Sequence, residues 1–372
     1  MNGEKKAGGE RSAVRRTPGR RKERSAATPR NGSHPACRKK VSLALQGGGS
    51  HGAFTWGVID RILEDDRLDI EAFVGTSAGA LNAAVAAYGM ETGGPEKSRE
   101  LLKFFWESNI SMAKKSVFQP TWIDMMTTRG NLEHSPLWLF FDMLTRVYSP
   151  YQWNPANINP FKDIILETVD FERLREAEKV KVFVCATNVL NGRLRVFETH
   201  EISPEAVLAS ACLPFLYHAV EVDGDFYWDG GYMGNPPIFP VIYGTQCADV
   251  LIVQINPINI PEVPTTAPEI LDRMNTLSFN SSLMREMRAI DFVSRLITEE
   301  NLDTARYKRT FIHTIDAEEE FSKLSASSKL NLDRDFVLYL FETGRRMAED
   351  FLARHFDAIG RESSTNIREK FF

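Results

Sequence analysis

Three short stretches of this 372-residue chain combine small residues with a group that can do chemistry. The first is Gly75-Thr76-Ser77-Ala78-Gly79, a GxSxG that follows the strand-like run Ile70–Val74 and opens an Ala-rich helical pattern. A serine on so tight a strand-to-helix turn needs small neighbours, which leave its Oγ exposed as a nucleophile. The helix that starts there favours developing negative charge. The second is Gly47-Gly48-Gly49-Ser50-His51-Gly52, again between a strand-like run and a helical pattern. Its bare backbone N–H groups could hold an anion, either a phosphate or the oxyanion of an acyl-transfer intermediate. A dinucleotide site expects a carboxylate at the end of the next strand, and a P-loop expects Gly-Lys-Ser/Thr. Here the next strand delivers Ser77, while Asp65, Asp66 and Asp69 precede it, so the oxyanion reading is preferred. The third is Asp229-Gly230-Gly231 after Phe226-Tyr227-Trp228, which alone reads as a turn and gains weight only beside the other two.

The elements that must position these groups follow from pattern. Val41–Leu45 and Ile70–Val74 read as buried strands, each followed by a turn and an apolar helix. Two such units in succession predict an α/β fold, a mainly parallel central sheet with helices on both faces. Asn191-Gly192 between residues 180–187 and 193–198 predicts a hairpin, and 249–255 reads as a further buried strand. Residues 95–160 read as helical and aromatic-rich, including Phe104, Phe105, Trp106, Trp122, Trp138, Phe140, Phe141, Tyr151 and Trp153. These aromatics could line an acyl-binding wall or fill a core, and the core is the preferred assignment. Amphipathic helices are expected near 280–300 and 334–356, the second with Val337, Leu340, Phe341, Met347, Phe351 and Leu352 on one face.

The order and spacing of the three motifs resemble the patatin-like phospholipases, whose signature is a glycine-rich oxyanion loop, a GxSxG elbow and a distant Asp-Gly-Gly/Ala. Ala209-Ser210-Ala211-Cys212-Leu213-Pro214-Phe215 is similar to the helix–Pro element before that family's Asp strand. One departure is His51, where many members carry Arg or Lys. The resemblance covers about residues 41–255 and implies a Ser–Asp dyad. Ser77 would attack an acyl ester, Asp229 would take its proton, and the loop of Gly47, Gly48, Gly49 and Gly52 would hold the oxyanion. Gly75 and Gly79 would shape the elbow, and Gly230 and Gly231 would complete the Asp motif. It further implies a lipid ester substrate of the phospholipase A type and no cofactor. The expected organisation is a basic arm (1–40), a patatin-like catalytic domain (41–255) and a helical C-terminal extension packed on the core (256–372).

Charge is divided unevenly. Residues 1–40 carry thirteen Lys/Arg against three Asp/Glu, and the remainder carries 32 against 47, so a +10 arm precedes a −15 body. The arm is Arg-, Gly-, Ser- and Pro-rich with little to bury, and is expected to be disordered. It would either attach peripherally to an anionic membrane surface or remain a solvated tail; no specific nucleic acid is expected. The four cysteines (Cys37, Cys185, Cys212, Cys247) form no CxxC pair, and the seven His include no HExxH, so neither a disulfide framework nor a metal site is expected. The twin arginines of the arm are followed by no apolar stretch that would make a signal peptide. Residues 72–90 lack charge but are Gly/Ala/Ser/Thr-rich, which reads as a buried strand–turn–helix rather than a membrane span. A cytoplasmic protein is the expectation. Two alternatives remain open at this level: an α/β-hydrolase with a Ser–Asp–His triad using His313 or His355, and a non-catalytic lipid- or nucleotide-binding module.

Overall fold

The sheet is built outward from the two strand–turn–helix units. In the computed structural model, which describes residues 38–372 apart from 115–120, 122, 125–129, 133 and 301–306, β1 (Lys39–Leu45) leads through the glycine loop into α1 (Gly52–Asp65). β2 (Leu68–Thr76) then leads through Ser77 into α2 (Ala78–Ala113). The expectations for the basic arm, Cys37 and Trp122 fall almost entirely outside the described residues. Both strands are buried along most of their length because helices cover both faces, which is why they read as apolar runs rather than alternating ones.

Among the described residues, eight strands form one mixed sheet of order β5-β6-β3-β2-β1-β7-β8, with β4 also pairing β3. β3 (Lys181–Asn188), β7 (Asp249–Gln254) and β8 (Phe311–Asp316) extend the parallel set. β4 (Leu194–Glu198) folds back on β3 as the expected hairpin, while β5 (Val220–Val222) and β6 (Asp225–Asp229) are antiparallel additions.

The register of β3 decides where the chemistry goes. β2 runs beside Lys181–Cys185, ending with Thr76 opposite Cys185. β4 occupies the other edge of β3, opposite Phe183–Thr187. β6 pairs with Ala186–Asn188 and must therefore use the same edge as β2, taking over one residue after β2 stops. Thr76 and Asp229 thus meet end to end in one lane of the sheet, and a Cβ on Gly230 would fall 2.1 Å from the Cys185 carbonyl oxygen and 3.1 Å from Cγ2 of Thr76.

Three features differ from the sequence-based expectation. The Ala-rich helix after Ser77 is joined directly to a second helix, so that α2 reaches Ala113 across a break at Gly94 (φ 76°, ψ −161°), just before Pro95. The break folds the second half back, so that Ser98 packs on Gly89 and donates to the Ala86 carbonyl at 2.9 Å. The aromatic segment is divided: Phe105 and Trp106 are buried, whereas α3 (Pro136–Val147) buries no residue and leaves Leu139, Phe140, Met143 and Val147 exposed. A core role therefore fits the first pair and not α3. Finally, segment 256–372 is not purely helical. Besides α5 (Ala267–Glu299) and α6 (Arg334–His355) it supplies β8 to the main sheet. α6 lies directly on α1: a Cβ on Gly57 would be 2.0 Å from the Phe341 carbonyl oxygen, and one on Gly344 would be 2.1 Å from that of Phe54. Arg345 also bridges Asp60 and Glu64 across this helix pair.

Candidate active site

Ser77 stands at the junction of β2 and α2 with φ 56° and ψ −125°, a backbone conformation rarely adopted by a non-glycine residue. The surroundings over-determine it. A Cβ on Gly75 would lie 2.4 Å from the Gly79 carbonyl oxygen, and one on Gly79 would lie 2.2 Å from that of Leu45. The turn therefore closes only with glycine at both places, as its spacing implied. Ser210, at the end of α4 (Pro204–Ser210), accepts the Ser77 N–H at 2.9 Å.

The glycine loop divides its labour. Gly47 donates its N–H to Asn235 Oδ1 at 2.6 Å, so that group is not free for an oxyanion. This corrects the expectation that all three glycines of 47–49 present free donors. Gly47 contributes space instead, since a Cβ there would be 2.5 Å from that of Ser77. Gly52 is likewise a packing residue: its N–H is bonded within the loop to Gly49 and Ser50, and its Cα faces Ala78. Gly48 and Gly49 are the loop glycines whose N–H groups have no acceptor among the described residues. A buried amide network holds the loop from below. Gln46 accepts from the N–H groups of Ile255 and Asn256 and donates to the Asn235 carbonyl, and Asn256 Nδ2 donates to the Gly47 carbonyl at 2.8 Å.

Asp229 is fully buried. Its backbone is fixed at both ends, the N–H to the Cys212 carbonyl at 2.8 Å and the carbonyl to the Thr187 hydroxyl at 2.8 Å. Oδ1 accepts the Gly231 N–H at 2.7 Å. Oδ2 is buried with no closed hydrogen bond. The Ser77 hydroxyl nevertheless interacts with this carboxylate and favours its charged form. Such loosely closed contacts are common in a site without substrate. Burial pushes the carboxyl up to about 6; the Ser77 hydroxyl, the Gly231 N–H and the charge of Lys329 oppose that shift without cancelling it.

The Patatin-like phospholipase family profile matches residues 43–242, more than half of the chain and all three motifs. The chain belongs to the patatin-like phospholipase family. Among solved structures it is similar to VipD from Legionella pneumophila, with 17% identity, 87% of this chain and 68% of that one covered, and a TM-score of 0.41. It is also similar to the type III effector ExoU, with 16% identity, 84% of this chain and 53% of that one covered, and a TM-score of 0.32. The chain thus spans about two thirds of the first and about half of the second. No curated protein matches it significantly.

In this patatin-like chain, Ser77 opens onto an apolar cavity of about 100 Å³. Its apolar lining includes Leu81, Phe105, Trp106, Phe161, Leu213 and Leu216. The fold-back of α2 at Gly94 explains how Phe105 and Trp106 arrive there, and Trp106 is pinned by Nε1 donating to Asn82 Oδ1 at 3.0 Å. These two aromatics belong to both the core and the wall, so the alternatives posed for them are not exclusive.

The histidines considered for a triad lie elsewhere. His313 is on β8, its Nε2 3.0 Å from Asp249 Oδ1 and its Nδ1 2.9 Å from Ser364 Oγ. It is level with Leu251 and hence with Leu43 and Phe73, three strands away from β2 and well short of the sheet end that carries Ser77. His355 closes α6 and packs its ring on Phe351. Among the described residues no cluster of His, Cys, Asp or Glu could hold a metal ion, and no helix is long and apolar enough to cross a membrane. The sequence reading missed Ser210 as the acceptor for the elbow, and Gln46, Asn235 and Asn256 as the base of the loop. The sequence signal for the first lay within the helix–Pro element already noted.

Proposed function

We propose that this chain is a lipid acyl hydrolase of the phospholipase A type working through a Ser77–Asp229 dyad. Ser77 Oγ attacks the ester carbonyl and gives its proton to Asp229, while the Gly48 and Gly49 N–H groups receive the oxyanion. Collapse of the intermediate breaks the ester bond; Asp229 returns the proton to the departing alcohol, leaving an acyl-Ser77. Water then attacks the acyl-enzyme and passes a proton to Asp229, and collapse returns it to Ser77 as the fatty acid leaves. A free carboxylate near pKa 3.9 is a feeble base for a hydroxyl. Burial raises Asp229 to about 6, which strengthens it as a base while keeping it ionised at neutral pH. Each oxyanion donor is worth about 3–4 kcal/mol to the transition state. The apolar cavity would take the acyl chain.

The observation that carries this reading is the end-to-end meeting of β2 and β6, at which a strained serine opening onto the cavity and a buried, incompletely bonded carboxylate interact. The test is labelling with a fluorophosphonate together with hydrolysis of phospholipids, acylglycerols and p-nitrophenyl esters. The wild type should be labelled at Ser77 alone, and Ser77→Ala should be unlabelled and inactive. Full hydrolysis by Ser77→Ala overturns the proposal.

A further inference from the structure

The glycine loop is roofed by the 3₁₀ turn Ala326–Leu330, which lies more than eighty residues beyond the segment matching the family profile. Three direct approaches and one bridge through Asn256 hold the two together. Ser50 Oγ donates to the Ser328 carbonyl at 2.7 Å, and His51 Nε2 lies 2.7 Å from Ser328 Oγ. Gly49 is pressed so close to the turn that a Cβ on it would be 2.1 Å from the Lys329 carbonyl oxygen. Lys329 Nζ donates to Asn256 Oδ1 at 3.0 Å, and Asn256 in turn holds the Gly47 carbonyl. Lys329 also borders the cavity into which Ser77 opens.

Taking Ser77 and Asp229 as the reacting pair, we propose that Lys329 is a positioning residue of the site: it braces the glycine loop through Asn256 and supplies the positive charge that faces the reacting groups. The geometry favours a role in charge as well as in packing. The hydrogen-bond partner of Nζ is a neutral amide, so the bond fixes the ammonium without neutralising it. The groups facing Asp229 are the Ser77 hydroxyl, the Gly231 N–H, Cys212, Tyr232 and Lys329; burial pushes the thiol and the phenol up, leaving both neutral at working pH. Those facing Lys329 are Asp272, Asp229 and His51, and burial with the nearby lysine holds His51 well below its ordinary range, so it is neutral too. Burial lowers the Lys329 ammonium from its ordinary range, Asp272 and Asp229 oppose that shift, and among the described residues Lys329 is the cation that acts on Asp229. A charge there favours an ionised base in the resting state and an oxyanion in the transition state.

The experiment compares wild type, K329M, K329Q and K329R on a neutral p-nitrophenyl ester across pH, with folding checked by circular dichroism. The uncharged ester removes any contribution from a substrate charge. K329M and K329Q should lose about tenfold or more in kcat at pH 7, corresponding to one decade per 1.4 kcal/mol, with KM little changed. Their acid limb should move upward by about one unit. K329R should keep the wild-type limb even where its kcat falls. If either neutral variant folds and its limb superimposes on that of the wild type, or if K329R moves the limb as far as K329M does, the inference is overturned. Fluorophosphonate labelling of the wild type separates the two levels. A wild type unlabelled at Ser77 overturns the dyad and this inference together, whereas a labelled wild type with an unmoved K329M limb overturns this inference alone.

Discussion

Ser210 Oγ accepts a hydrogen bond from the Ser77 N–H at 2.9 Å and donates one to the Cys185 carbonyl at 2.6 Å. One hydroxyl thus ties the strained elbow to the strand beside it, at the residue of β3 where β2 ends and one before its pairing with β6. Holding a non-glycine residue in such a conformation costs on the order of 1–3 kcal/mol, which the surroundings must supply. Ser210→Ala leaves a buried N–H and a buried carbonyl without their partner, a loss of about 1–3 kcal/mol for each unsatisfied group. The expected result is a lower urea midpoint and a slower fluorophosphonate reaction at Ser77, with KM nearly unchanged. An unchanged labelling rate in a destabilised Ser210→Ala would show that the elbow keeps its shape without this bond.

The pH dependence of kcat/KM should have an acid limb near 6, set by Asp229. Below that value the base is protonated, and the rate should fall about tenfold per unit. A limb near 4 would mean that the carboxylate is better solvated in the working enzyme than its burial indicates.

Asp229→Asn should be nearly inactive yet more stable than wild type at neutral pH. The folded-state pKa of about 6 lies above the ordinary 3.8, so between those values the native state binds more protons than the unfolded chain. Stability therefore falls as pH rises through that window, and the ionised carboxylate costs about 3 kcal/mol above pH 6. Chemical denaturation at pH 7.5 should show a gain of that order for the amide, shrinking as pH falls from 6 towards 4. A gap that stays constant over this range would exclude Asp229 as its source.

The tight turn at Ser77 was legible from sequence because its residues are constrained by space. The turn has no room for a side chain at Gly75 or Gly79, and the position of Asn191-Gly192 predicted the β3–β4 hairpin that leaves one edge of β3 for β2 and β6. What could not be read is contact between distant segments. Nothing in Ala326–Leu330 marks it as the roof of a loop near residue 49, and Gln46 and Asn256 are ordinary amides until the sheet places β1 beside β7. β8 was missed for a related reason. Phe311–Asp316 is a six-residue run with a histidine at its centre, and that histidine is buried only because Asp249 and Ser364 satisfy both ring nitrogens.

The +10 arm makes a prediction separable from catalysis. Lys and Arg near an anionic bilayer contribute about 1 kcal/mol each, screened within about 8 Å at physiological salt. If the arm anchors the acidic body, the full chain should sediment with anionic but not neutral vesicles, and a form starting at Lys39 should not. Equal sedimentation of both forms at low salt would remove the arm as the anchor, leaving the exposed apolar side of α3 as the surface to examine next.

His313 gives the sharpest contrast between the dyad and a triad. Its ring bonds Asp249 at one nitrogen and Ser364 at the other, an arrangement that looks like a relay but joins β7 and β8 to the C-terminal segment. Asp249 also accepts the Gly360 N–H, so the cluster closes the chain end against the sheet. His313→Ala leaves a cavity and unpaired buried groups, and should cost about 2–4 kcal/mol of stability. At a temperature where the variant remains folded, its kcat/KM should stay within about twofold of wild type, since additive behaviour is expected for sites this far apart. A folded His313→Ala as inactive as Ser77→Ala would instead place the histidine in the reaction and favour the triad over the Asp229 base.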